Sequence, residues 1–434
     1  MCTIDAPSLS RARCTMFRSV GKTLDCKRAT ALSCAMLLGA LAIAGCVETQ
    51  RRPAPPTLIT QVAPVGFSRD IRLLSSDLRF FQEHEDRVIA GVRAVAGAGP
   101  VRILALSGGG AGGAFGAGVL IGWTRSGGRP QFHIVTGVSA GALLAPFAFL
   151  GPDWDSEIAT AFSEDRFEHL LKPRGPLFFV RSGFFKGRPL FDLVDELVTD
   201  RLIEAVAEQA GRGRVLLIAT TDVDKQESVI WNMGAIAQHG GREARELFRD
   251  IVIASASIPG LLPPVLIRVE GDGQQYDEMH ADGGTTVPLF VTSEIARLSR
   301  DEFSSLAGAQ VYVVVNGQLS GTPETTRLRT VAVLARGLSA GLMHLSRRTV
   351  DLTADFAQRF GMDFKFTFIP TSYPYRGSLD FEPAVTRALY DYAAHCAEAD
   401  ELWSTLEHAI DEGQRSATLL PEKSEVCPFP KTTE

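Results

Sequence analysis

Short apolar runs that stop at glycine and give way to helical patterns constrain this chain most. Val101-Arg102-Ile103-Leu104-Ala105-Leu106 ends at Ser107 and a cluster of glycines. A run of that length, closed by a turn signal, suits a buried parallel strand. A helix is expected to open after Gly113 and run through Val119 and Trp123. A second strand over Phe132 to Val135 leads to Gly137, and Ala140 to Leu150 reads as a buried helix stopped near Gly151-Pro152. Val215 to Ala219 and Val311 to Val315 are further strands. Ser228 to Trp231, Val265 to Val269 and Phe364 to Ile369 are lesser ones. Helical patterns at Pro189 to Gln209 and Ala244 to Ala254 lie between them. Alternation of this kind predicts a three-layer α/β/α domain with a mostly parallel central sheet.

The 434 residues, 45% hydrophobic and 22% charged, are ordinary globular material. Residues 1–45 carry six Lys or Arg and two Asp or Glu, a net of +4, which leaves −10 of the chain's −6 total for the remainder. An acidic body offers nucleic acid no basic face. Lys27 and Arg28 precede an uncharged stretch from Ala29 to Val47, which fits a signal-peptide core. It ends Ile43-Ala44-Gly45-Cys46, which resembles the lipobox of bacterial lipoproteins. That resemblance implies a leader over 1–45, removed to leave Cys46 lipidated, with Met16 an alternative start. It also implies attachment to a membrane of the bacterial cell envelope, and Val47 after Cys46 is compatible with the outer membrane. A short buried helix or an uncleaved anchor are the other readings of this stretch.

After such processing only Cys46, Cys396 and Cys427 remain. Cys396 and Cys427 could pair outside the cytoplasm or stay as buried free thiols. No Cys or His spacing reads as a metal site. Residues 46–66, rich in proline, suggest an extended tether. Over 67–100, Leu73, Leu74, Leu78, Phe81, Val88, Ile89, Val92 and Val95 recur at helical spacing and predict an amphipathic lead-in. A core over 101–289 and an extension over 290–434 that completes the same domain account for the rest.

Three small motifs carry the chemistry. Ser107-Gly108-Gly109-Gly110-Ala111-Gly112-Gly113 lies between a strand and a helix. Its backbone N–H groups and the helix N-terminus behind them suit an anion, either a phosphate or the oxyanion of an acyl-transfer intermediate. Gly137-Val138-Ser139-Ala140-Gly141 also bridges a strand and a helix, and a serine on such a turn is raised out of the fold. Asp282-Gly283-Gly284 follows the segment Tyr276 to His280. Each is weak alone: Gly337-Leu338-Ser339-Ala340-Gly341 matches the serine pattern too. Around Ser339, however, Val331, Leu334, Leu338, Leu342, Leu345, Leu352 and Phe356 fall on a helical stripe, with no strand ending before it.

Taken in order, G-G-G-x-x-G, G-x-S-x-G and D-G-G resemble the motifs of the patatin-like phospholipases. Ala254-Ser255-Ala256-Ser257-Ile258-Pro259-Gly260, Ser182-Gly183-Phe184-Phe185 and Ala219-Thr220-Thr221-Asp222 are similar to flanking stretches of that family. The resemblance covers about Val101 to Leu289. It implies a patatin-like fold and a serine hydrolase of lipid esters, with Ser139 as nucleophile and Asp282 as its base. The N–H groups of Gly108, Gly109, Gly110 and Ala111 would form the oxyanion hole, with Gly113, Gly137, Gly141, Gly283 and Gly284 as motif glycines. It implies no metal or cofactor, and burial that raises the Asp282 pKa. Gly112 stands where the family usually carries Arg or Lys, so a fixed charge beside the loop is missing. His280, two residues before Asp282, could suggest a triad, but a structural histidine is the better expectation. Leu177-Phe178-Phe179-Val180 and Gly183-Phe184-Phe185 could line an acyl trough, touch lipid or simply pack in the core.

Two rivals belong to other classes. Gly108-x-Gly110-x-x-Gly113 matches a dinucleotide fingerprint, which requires an Asp or Glu closing the next strand. That strand instead closes Thr136-Gly137-Val138-Ser139. A membrane-anchored scaffold without catalysis is the second, and the missing basic residue is its support.

Overall fold

Alternate residues of the central strands bury toward opposite faces, and both faces are covered. In the computed structural model, which describes residues 51–74, 88–163, 183–291, 306–321, 323, 325–404 and 427, one sheet organises the molecule. Its strands are β1 Ala63–Pro64, β2 Arg72–Leu74, β3 Arg102–Leu106, β4 Ile134–Val138 and β5 Val215–Asp222. They continue with β6 Glu227–Asn232, β7 Val265–Gly271, β8 Gln274–Asp282, β9 Gln310–Val315 and β10 Asp363–Phe368. The helices are α1 Gly113–Arg125, α2 Ala140–Leu150, α3 Asp155–Ser163, α4 Arg188–Leu197 and α5 Asp200–Gly211. After these come α6 Met233–His239, α7 Gly241–Ser255, α8 Thr330–Arg359 and α9 Pro383–Glu398.

The strand order is β1-β7-β8-β5-β4-β3-β9-β10, with β6 beside β5 and β2 beside β6. β5, β4, β3, β9 and β10 run parallel. β8, β7, β6, β1 and β2 join antiparallel. The sheet is therefore mixed, with its parallel strands at the centre and one flank. Leu104, Leu106, Leu216, Ile218 and Val314 point into a core shared with Phe115 and Val119 of α1, Leu144 of α2, Phe248 of α7 and Leu389 of α9. Ile103, Ala105, Val311, Val313 and Val315 point the other way, onto Ile89, Val92, Val350, Phe356 and Ala357. Burial on both faces is why these strands read as unbroken apolar runs. Cys396 in α9 is joined to Cys427 by a disulfide.

Several expectations need correction. The tether assigned to 46–66 is folded from Arg51 onward. Arg51 pairs with Asp224, Ala54 and Val62 pack with Val269, and β1 pairs with β7. Burial of Val62 outweighs the extended bias of the prolines around it. The lead-in over 67–100 is not one helix. Leu73 and Leu74 lie in β2, where they extend the sheet beside Ile230 and Val229, and helix covers 88–96. Leu78 and Phe81 lie outside the described residues. The pattern over Pro189 to Gln209 is two helices, α4 and α5, parted where Thr199 Oγ1 accepts the Leu202 N–H and caps α5. The stretch read as a leader and Cys46 also lie outside the described residues, as does Leu177 to Val180 of the aromatic cluster. Phe185 packs against the main core.

Candidate active site

Parallel strands end together, and the site collects at their carboxyl ends. β3 delivers the glycine loop, β4 delivers Ser139, and β8, antiparallel beside β5, brings Asp282 alongside Thr220. Ser139 sits between β4 and α2 with φ 53° and ψ −121°, a backbone few side-chain-bearing residues adopt. The turn closes because Gly141 lacks a side chain: a Cβ there would collide with the carbonyl oxygen of Leu106. The strained peptide is held by an unforeseen partner. Ser255, the last residue of α7, accepts the Ser139 N–H at 3.0 Å and donates to the Ala219 carbonyl at 2.7 Å.

The Ser139 hydroxyl donates to Asp282 Oδ2 at 2.6 Å. Asp282 Oδ1 accepts the Gly284 N–H at 2.7 Å, so both carboxyl oxygens are fixed. Burial pushes the Asp282 pKa up to about 7, against the opposing pull of the Ser139 and Gly284 hydrogen bonds. A carboxylate of that basicity, touching a serine hydroxyl, can take its proton near neutral pH. His280 does not join them. It is buried, with Nδ1 3.0 Å from Thr220 Oγ1 and Nε2 3.4 Å from Glu278 Oε2.

The glycine loop opens beside the serine, but its four expected donors are not equivalent. The Gly108 N–H is spent on the Pro288 carbonyl and the Ala111 N–H on the Ser378 carbonyl. The hole assigned to Gly108 through Ala111 thus contracts to Gly109 and Gly110, whose N–H groups have no partner among the described residues. Asn316, just past β9, braces the loop: its N–H bonds Ser107 Oγ at 2.8 Å and its Nδ2 bonds the Ser107 carbonyl at 2.7 Å. Its carbonyl lies where a Cβ on Gly112 would fall, with the Tyr375 hydroxyl close behind. Gly112 therefore belongs to a tightly packed loop with no room for a longer residue as the surroundings stand. Tyr375, whose phenol burial pushes upward in pKa, lies 3.5 Å from the Gly109 carbonyl. Sequence reasoning missed Ser255, Asn316 and Tyr375 as site residues. Only Ser255 had a signal, as part of the small-residue stretch before Pro259.

One cluster escapes any spacing rule. Asp222, Glu278 and His280 offer ligand atoms within 4.8 Å of one another. Side-chain cations already serve it. Lys225 Nζ is 2.9 Å from Asp222 Oδ2 and 2.8 Å from Glu278 Oε1, and Arg72 pairs with Glu278. Burial acts upward on the Glu278 pKa, but the His280 hydrogen bond, then Arg72 and Lys225, hold it below the ordinary carboxylate range. A metal ion there would have to displace a lysine.

Residues 104–292 match the family model described as patatin-like phospholipase. No curated protein matches the chain. Among solved structures it is similar to VipD from Legionella pneumophila, at 14% identity and a TM-score of 0.31, over 76% of this chain and 73% of that one. It is also similar to human GIVD cytosolic phospholipase A2, at 11% identity and a TM-score of 0.27, over 61% of this chain and 50% of that one.

Proposed function

From the match of residues 104–292 to the patatin-like phospholipase family model, we propose that the chain hydrolyses lipid esters through a serine–aspartate pair. The family-model match supports lipid acyl hydrolysis in general, and the 2.6 Å contact between Ser139 Oγ and Asp282 Oδ2 carries the finer reading. Ser139 attacks the ester carbonyl as Asp282 accepts its proton. The oxyanion that forms is met by the N–H groups of Gly109 and Gly110. Asp282 then protonates the departing alcohol and the acyl-enzyme remains. A water molecule, deprotonated by the same carboxylate, releases the fatty acid and restores the serine. The pKa near 7 suits a group that must both take and return a proton.

The same proposal keeps Cys46 as a lipidated first residue that ties the domain to a membrane of the bacterial cell envelope. The Cys396–Cys427 disulfide favours an oxidising compartment of that kind. The test compares long-chain phospholipid and short-chain soluble esters with parent, Ser139→Ala and Asp282→Asn proteins. Turnover by the parent and its loss in both variants supports the reading, whereas parent-level turnover in Ser139→Ala overturns it. A folded parent with no ester turnover would favour the scaffold.

A further inference from the structure

Helix α8 has two halves with opposite surroundings. Its later half covers the sheet, burying Val350, Ala354, Phe356 and Ala357. Its earlier half is largely exposed: among the described residues there, Val333, Leu334 and those from Gly337 through Gly341 face solvent. A helix bathed in water on all sides should be polar all round. This one carries Val333 at 51%, Leu334 at 64% and Leu338 at 43% exposure, and Leu328, just ahead of it, is 99% exposed. Leu334 and Leu338 stand one turn apart on one face, while Arg336 and Arg347, at a spacing that returns to one side, lie on the opposite face.

Charge says what the exposed half would meet. Residues 325–350 hold Arg327, Arg329, Arg336, Arg347, Arg348 and His344, with no Asp or Glu, in a chain of net charge −6. Position says why. α8 feeds β10, whose Asp363 pairs with Gln310 at the start of β9, so the end of α8 lies at the amino ends of the parallel strands. The helix is about 45 Å long, whereas six-residue strands reach about 20 Å. The Met343 methyl already lies beside Gly321, six residues beyond the last residue of β9. The residues before Met343 therefore project past the edge of the sheet that carries Ser139 and the glycine loop.

We propose that the earlier half of α8 is a membrane-docking surface that lies in the interface of an anionic bilayer. Leu334 and Leu338, with Leu328 just ahead of the helix, enter the acyl boundary, and the arginines meet headgroup phosphates. Among the described residues no helix is long and apolar enough to cross a membrane, so the element lies along the surface. Docking would bring the catalytic edge to its substrate, a consequence that rests on the hydrolase reading, while the docking itself stands apart from it.

The test places a reporter on the helix in the full chain. Tryptophan emission of Leu338→Trp, taken as the difference from parent, should shift to the blue and be quenched by phosphatidylglycerol vesicles with brominated acyl chains. Matched phosphatidylcholine vesicles should do little, and Leu266→Trp on β7 should respond to neither. Leu334→Glu with Leu338→Glu should cut hydrolysis of phosphatidylglycerol vesicles about tenfold and leave soluble short-chain ester turnover unchanged. An unshifted Leu338→Trp, equal quenching by both lipids, or burial of Leu338 between two copies of the chain in sedimentation and cross-linking would overturn the proposal. If the parent turns over no ester, the hydrolase reading fails while the quenching result still decides docking.

Discussion

The chain contains the same five-residue serine pattern twice, at Gly137 to Gly141 and at Gly337 to Gly341, and the two regions share almost nothing else. Ser139 is buried at a strand-to-helix turn, with φ 53° and its hydroxyl on a carboxylate. Ser339 sits exposed inside α8. The glycines differ just as sharply. Side chains on Gly137 or Gly141 would run into Ala145 or the Leu106 carbonyl, whereas side chains on Gly337 or Gly341 would meet nothing within 4 Å. A glycine that is needed has neighbours pressing on it, and the serine at the turn has a carboxylate within reach. The pattern encodes neither condition.

The largest contrast should appear in turnover. Ser139→Ala is expected to lower ester hydrolysis about a thousandfold or more, while Ser339→Ala stays within about twofold, as read by kcat/KM on a soluble ester. Equal losses would erase the distinction between the two sites.

The next effect concerns the base. kcat/KM should rise with pH along an acid limb centred at about 7, because Asp282 must be ionised to accept the proton. Stability should run the opposite way. The folded carboxyl holds its proton up to about 7, while in the unfolded chain it titrates near 3.9. Between those values the unfolded state loses the proton first. The contribution is therefore fully present below about 4 and is lost as pH rises through about 7. Asp282→Asn, inactive, should then be more stable than parent at pH 8 by up to about 4 kcal/mol, with little gain at pH 4. Urea unfolding at the two pH values measures this, and a flat activity profile from pH 5 to 9 would remove Asp282 as the base.

Glycine replacement sharpens the comparison further. Gly141→Ala should destabilise by about 3 kcal/mol, since the elbow has no room for a methyl group. Gly341→Ala should stabilise by roughly 0.5–1 kcal/mol through helix propensity alone. Opposite signs in urea midpoints are the expected outcome. Ser255→Ala should cost about 1–3 kcal/mol, by leaving the Ser139 N–H buried without its acceptor.

How much of this could be read from the sequence depended on whether the cause was local. Val101 to Leu106 and Ala140 to Leu150 announce their elements because their burial is continuous along the chain. Ser139 and Asp282 were legible as a pair only through the ordered set of motifs, since 143 residues separate them. The glycine loop was half legible. Its glycines are plain, but Pro288 and Ser378, which consume the Gly108 and Ala111 N–H groups, arrive from distant parts of the chain. Gly112 looked like a missing charge, and the structure gives it a steric cause in the Asn316 carbonyl, a partner about 200 residues away. The apolar stripe of α8 was visible, yet its spacing held no sign that Leu334 and Leu338 would stay uncovered while Phe356 packed.

The most direct test of the central claim is labelling with a fluorophosphonate, followed by peptide mass mapping of the parent protein. The account predicts one adduct, on Ser139, lost in Ser139→Ala and strongly slowed in Asp282→Asn. An adduct on Ser339 or any other serine, or labelling that persists in Ser139→Ala, would contradict it.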